Sequence, residues 1–126
     1  MEVDIFESIG IWGPHQTLHA IHWDGYGKDH QHIGHQVTEL EGLDQTKWTT
    51  VGLYWEEGKL EFYVNGTKTW TYSNPRVGSA PAFLLLSAQT GGWGGNADMK
   101  ETVFEPSLPR HMYVDYVKVW SGEKRK

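Results

Sequence analysis

Three carboxylates stand within the first seven residues of the chain, at Glu2, Asp4 and Glu7, with Val3, Ile5 and Phe6 between them. A run of β-branched and aromatic residues predicts a strand. Side chains alternate along a strand, so Glu2 and Asp4 share one face while Val3 and Ile5 share the other. A regular strand would send Glu7 to the apolar face. A β-bulge at Ile5-Phe6 absorbs one residue and returns Glu7 to the carboxylates. The chemistry that wants two such carboxyls is glycoside hydrolysis, whose retaining form uses a pair about 5–5.5 Å apart, one nucleophile and one acid/base. Glu2 and Glu7 lie about 13 Å apart along an extended backbone, a gap that two long side chains leaning together largely close. Asp4 between them drives their proton affinities apart by charge and hydrogen bonding. An exposed acidic strand face without chemistry is the competing reading that spacing alone leaves open.

The segment Glu2-Val3-Asp4-Ile5-Phe6-Glu7 resembles the E-x-D-x-x-E signature of glycoside hydrolase family 16, the laminarinase and β-glucanase family. Later segments resemble the family in the same order: His22-Trp23-Asp24-Gly25-Tyr26-Gly27, residues 48–55, Phe62-Tyr63-Val64-Asn65-Gly66 and Val114-Asp115-Tyr116-Val117-Lys118-Val119. The resemblance implies an all-β fold, the concanavalin A-like jelly-roll β-sandwich, whose concave sheet forms a sugar cleft. It implies a retaining endo-glycoside hydrolase acting on β-1,3- or mixed-linkage β-glucan, with Glu2 as nucleophile, Glu7 as acid/base and Asp4 as modulator. Carrageenan, agarose, galactan and xyloglucan enzymes share the fold and a similar motif, so the polysaccharide stays open. In the family this strand lies mid-domain, whereas here it opens the chain. The expectation is therefore the C-terminal portion of such a domain over residues 1–121, without its N-terminal strands, followed by a basic, disordered tail at 122–126. A non-catalytic carbohydrate-binding jelly roll, or an inactive fragment of such an enzyme, is the alternative.

Composition bounds the reading. The 126 residues suit one domain or part of one. Seven Trp, six Tyr, four Phe and 15 Gly suggest an aromatic-rich β protein with rings to spare for a groove. A formal net charge of −5 argues against nucleic acid, which favours basic patches. With no Cys there is no disulfide and no thiolate metal site. No apolar run approaches the roughly 18 residues of a membrane span, so no membrane partner is expected. Export from the cell follows from the resemblance alone.

The elements that must position the carboxylates are short strands at regular spacing, which predict a sandwich. Residues 16–23 form a strand with Leu18, Ala20 and His22 on one face and Thr17, His19, Ile21 and Trp23 on the other. Residues 24–32 form a polar loop and 34–40 a strand with Val37 inside. Residues 48–56 and 59–65 form the clearest hairpin, and Asn65-Gly66 signals a second tight turn before 67–72. Phe83-Leu84-Leu85-Leu86 predicts a central strand, apolar on both faces, and residues 111–121 a terminal one.

Six of the seven His lie between His15 and His35. His19 and His22 face opposite ways and no Cys completes a set, which disfavours a metal site. His22, if its strand pairs beside the carboxylates, shares their face and can hydrogen-bond Glu7 or a substrate hydroxyl. Trp23, Tyr26 and Trp93 are the sugar-stacking candidates, at strand ends or in Gly-rich loops. Trp48, Trp55, Trp70 and Trp120 alternate with core residues and are expected to be structural. No cofactor is required; the resemblance allows a structural calcium at Asp115. The expected partners are the polysaccharide and either a second copy of the chain or a complementing N-terminal segment, since half a sandwich leaves apolar faces uncovered.

Overall fold

Alternation, bulges and glycine turns assemble two antiparallel sheets in the computed structural model, which describes residues 1–88 and 111–122. The first sheet contains β1 (Glu2–Glu7), β2 (Thr17–Trp23) and β3 (Gln31–Val37), in the order β1-β2-β3. The second contains β4 (Val51–Glu56), β5 (Lys59–Val64) and β6 (Thr67–Ser73), in the order β4-β5-β6. A 3-10 turn at Gly10–Trp12 lies between β1 and β2, and there is no α-helix among the described residues. The all-β sandwich that the sequence predicts is the architecture observed.

The core lies where the inner faces of β2 and β5 meet. Ile21 and Trp23 from β2 pack with Leu60 and Phe62 from β5 and with Val77, while Val3, Leu53, Trp70 and Tyr72 close around them. A smaller cluster joins Val37, Leu43 and Val64, with Phe6 and Leu40 against it. Leu60, Phe62 and Val64 are fully buried because every second residue of β5 points inward. Each such side chain contributes about 1.5–3 kcal/mol by leaving water.

Turn chemistry sets the registers. Asn65 and Gly66 both adopt left-handed backbone, with φ of 50° and 79°. That is the two-residue turn whose twist matches paired strands. Asn65 Oδ1 also accepts from the Thr50 amide at 3.0 Å, fastening the turn to the start of β4. β6 carries a bulge of its own: Trp70 pairs with Phe62 but Lys68 pairs with Tyr63, leaving Thr69 as the extra residue.

Four expectations need correction. The third strand begins at Gln31, so the polar loop before it is shorter than predicted. Residues 83–86 form no strand, and Phe83 is 87% exposed. A strand apolar on both faces needs a layer on each side, and the described residues supply neither. Residues 111–122 likewise lie outside both sheets and are exposed. Of the tryptophans expected to be structural, Trp70 packs on the core, but Trp48, Trp55 and Trp120 are exposed, Trp48 at 72%. Alternation assigns a face only where another layer covers it, and among the described residues no layer covers these three. Residues 123–126 of the expected tail are outside the described residues.

Candidate active site

β1 supplies the carboxylates, and its pairing with β2 decides where they point. Glu2 opposes His22 and Asp4 opposes Ala20, but Glu7 opposes Leu18. Three residue steps of β1 therefore span two of β2, and the pair Ile5-Phe6 stands opposite His19 alone. This is the expected bulge, and it brings Glu2, Asp4 and Glu7 onto one face. β3 continues the rows across the sheet: His32 beside His22, Gly34 beside Ala20, Gln36 beside Leu18. The face outside the core thus presents Glu2, His22 and His32 in one row, Glu7, Leu18 and Gln36 in another. Between them Asp4 is followed only by a methyl group and a hydrogen. The small middle row leaves room beside Asp4, and Leu18 leans toward it, with Cδ1 3.1 Å from where a Gly34 Cβ would stand.

Crowding of like charges on a half-buried strand shifts the carboxyls. Glu7 is pushed up to about 7, first by burial beside apolar Leu18 and then by the charges of Asp4 and Glu2. Asp4 is raised by burial and by Glu2, against an opposing pull from His22. A carboxyl that keeps its proton near neutral pH is the kind of group that can serve as general acid.

His22 is tied to Asp4, not to Glu7 as one sequence expectation had it. Its Nε2 lies 3.1 Å from Asp4 Oδ2, and its Nδ1 lies 2.8 Å from His30 Nε2. If Nε2–H donates to the carboxylate, Nδ1 is the acceptor and His30 must donate to it. The rings of His22, His30 and His32 lie near-parallel within 5.1–5.6 Å of one another. Tyr26 leans on two of them, 5.6 Å from His22 and 4.8 Å from His30. The Tyr26 phenol is raised to about 12, by partial desolvation first and then by the hydrogen bond and charge of Glu2. Register alone reveals His22 and His32 as row neighbours; His30 comes from the loop, and no spacing signal points to it.

Tyr26 owes its position to the turn before it. Asp24 and Gly25 both take left-handed backbone, with φ of 63° and 67°. A non-glycine residue in that region needs support. Arg76 supplies it, donating from Nη2 to both Asp24 oxygens at 2.8 and 2.7 Å and from Nη1 to Gln31 Oε1 at 3.1 Å. The same guanidinium lies over the Trp23 ring, 5.3 Å from its centroid. This clasp was not legible in the sequence, since its partners are 52 residues apart.

Glu2, His22, Trp23 and Tyr26 border a shallow hollow of about 200 Å³. The other sequence candidates fall differently. Trp23 is only 8% exposed and belongs to the core, although it borders the hollow and its buried indole N–H has no partner among the described residues. Tyr26 is 69% exposed and open to a ligand. Trp93 lies outside the described residues. Asp115 is exposed, outside both sheets. Among the described residues no three His, Asp or Glu side chains gather to hold a metal. This holds around Asp115 too among the described residues, and no chemistry here is routed through a calcium ion.

A sandwich bearing three carboxylates on the outer face of one sheet holds the groups that glycoside hydrolysis uses. The chain belongs to glycosyl hydrolases family 16: the family model matches residues 1–118, which include the carboxylate strand and both sheets. Comparison with curated proteins and with solved structures returned no match.

Proposed function

We propose that this domain is a retaining endo-glycoside hydrolase acting on β-1,3- or mixed-linkage β-glucan outside the cell. The observation that carries the reading is the bulge at Ile5-Phe6, which aligns the three carboxylates and leaves Glu7 with a proton near neutral pH. In this reading Glu2, as carboxylate, attacks the anomeric carbon while Glu7 protonates the departing glycosidic oxygen. The glycosyl ester on Glu2 is then hydrolysed by a water that Glu7, now deprotonated, activates. Asp4, held by His22, separates the two roles electrostatically. Tyr26, open to solvent, stacks on a sugar face. The geometry favours no particular glucan.

Incubation with laminarin, lichenan, agarose and carrageenan, with product analysis, tests substrate and stereochemistry together. The expected products are β-configured glucan oligosaccharides from the first two. Because the acid must be protonated, kcat/KM is expected to fall as pH rises through about 7, the value of Glu7 in the free protein. Binding without cleavage on every substrate would favour the carbohydrate-binding alternative. A profile flat from pH 6 to 9 would remove Glu7 as the acid.

We also infer self-association through the apolar residues at 83–86, all more than half exposed. Apolar side chains left in water together favour a covering partner. Sedimentation of the purified 126-residue chain is expected to give a dimer or larger species. A monodisperse monomer with a cooperative melt would overturn this.

A further inference from the structure

The inner face of β2 carries two polar residues, Thr17 and His19, where an apolar pair would be the simpler core. Both are fully buried. Thr17 Oγ1 donates to the Glu7 carbonyl at 2.9 Å. His19 Nδ1 donates to the Ile5 carbonyl at 2.6 Å, and His19 is itself the residue opposite the bulge. The far side of the imidazole, Nε2, lies 2.8 Å from Thr69 Oγ1, on the extra residue of the β6 bulge. Burial lowers the proton affinity of His19, with the Ile5 carbonyl opposing, which favours the neutral ring. With Nδ1–H donated to Ile5, Nε2 is the acceptor, and the single Thr69 hydroxyl proton is shared between it at 2.8 Å and the Phe62 carbonyl at 3.2 Å. A buried polar line therefore runs from a bulge in the second sheet, through the core, to the bulge that aims Glu7.

A bulge breaks the ladder and leaves backbone groups in need of partners. A buried carbonyl without one is costly. Regular pairing would need no such partners, but it slips the strand by one residue and sends every later side chain to the opposite face. The two carbonyls capped from inside, those of Ile5 and Glu7, flank the inserted residue. Capping them favours the bulged register over the regular one.

We propose that Thr17 and His19 are positioning residues for Glu7: by capping the Ile5 and Glu7 carbonyls from within the core, they hold β1 in the bulged register that keeps Glu7 on the carboxylate face. The consequence for catalysis rests on the acid/base reading of Glu7; the consequence for register does not.

The test uses the full chain with Thr17→Val, Thr17→Ser and Thr69→Val, and with His19→Phe as the volume-matched removal of the imidazole. Cross-strand NMR contacts report the register independently of activity. In the parent chain Leu18 faces Glu7. The expectation is that Thr17→Val and His19→Phe populate a register in which Leu18 faces Phe6, while Thr17→Ser keeps the parent pairing. Where His19→Phe does not fold, Thr69→Val, which removes the outer partner of the ring together with a 3.2 Å bond to the Phe62 carbonyl, takes its place. Retention of the Leu18–Glu7 pairing as the single register in Thr17→Val and in the histidine-line variant would overturn the proposal.

Kinetics separate positioning from general damage. A chain in the slipped register turns the acid away from the other carboxylates and loses its contribution, on the order of 10²-fold or more in turnover. That loss is expected on polysaccharide, with KM little changed, and a much smaller loss on an aryl glycoside whose leaving group needs no proton. Equal losses on both substrates would count against positioning of the acid. A shifted register in a chain whose parent cleaves nothing would uphold the brace and reject the hydrolase reading.

Discussion

Glu2→Gln is expected to bring polysaccharide cleavage down by on the order of 10⁴-fold or more, the scale seen when a covalent catalyst is removed. An amide is a poor nucleophile at the anomeric carbon and cannot form the glycosyl ester. Glu7→Gln leaves the nucleophile intact and removes the proton, so its loss should depend on the leaving group. It should be severe on laminarin or lichenan and partly recovered on an activated aryl glycoside. Asp4→Asn is expected to cost less than either, because Asp4 acts through the charge it shares with its neighbours and through His22. Steady-state kinetics of the three variants on both substrate types check the assignment. Near-full activity in Glu2→Gln would remove the nucleophile from the proposal, and a leaving-group-independent loss in Glu7→Gln would remove the acid.

Phe62→Ala is expected to destabilise the fold by about 3–5 kcal/mol, the usual cost of truncating a buried aromatic side chain. A domain of this kind has only about 5–15 kcal/mol in total, so much of the population would unfold near physiological temperature. Phe62 sits in the middle of β5 with no exposed surface. Its ring lies 4.9 Å from that of Trp70 beside it and 4.8 Å from His19 across the core. Removing it opens a cavity that both sheets share and takes away the surface on which His19 rests. Urea unfolding followed by tryptophan fluorescence measures the loss. A change below about 1 kcal/mol would mean that the two sheets do not depend on this contact, since surface substitutions fall in that range.

The fold class and the carboxylate face were legible because both depend on local period. Six residues of E-V-D-I-F-E contain the strand, the alternation and the off-phase Glu7 that demands a bulge. The turn at Asn65-Gly66 was equally readable, since few residues tolerate its backbone. Residues 83–86 show the limit of the same reasoning. Their apolar pattern asks for two covering layers, and a pattern cannot say whether those layers are there. Trp23 shows another limit. Its neighbours in a polar loop suggested a sugar platform, but it is the fourth of the inward residues on β2, and parity carried it into the core. Thr17 and His19 were on that same inward list. Their polarity in a core position was the available signal of a buried network, and its meaning depended on β6, whose bulge no local spacing announces. His30 and Arg76 were invisible for a simpler reason: each meets its partner through a loop, where sequence distance carries no geometry.

The Asp24–Arg76 clasp makes one wall of the hollow mechanically part of the opposite sheet. Arg76 follows β6, and its neighbour Val77 is locked to the β4–β5 turn by the bond from the Gly58 amide to the Val77 carbonyl, 2.8 Å long. A ligand that presses Tyr26 outward therefore works against a lever anchored on the far side of the sandwich. The anchoring contact is nearly half exposed on both partners, at 44% and 42% of their side chains, so mobile ions reach it. At about 1 M salt the screening length shortens to roughly 3 Å, close to the length of the contact itself, and the lever's grip weakens. The carboxylate strand is tied by neutral hydrogen bonds inside the core, which ions do not reach. The two walls of the cleft thus differ in compliance, one softening with ionic strength and the other keeping its stiffness.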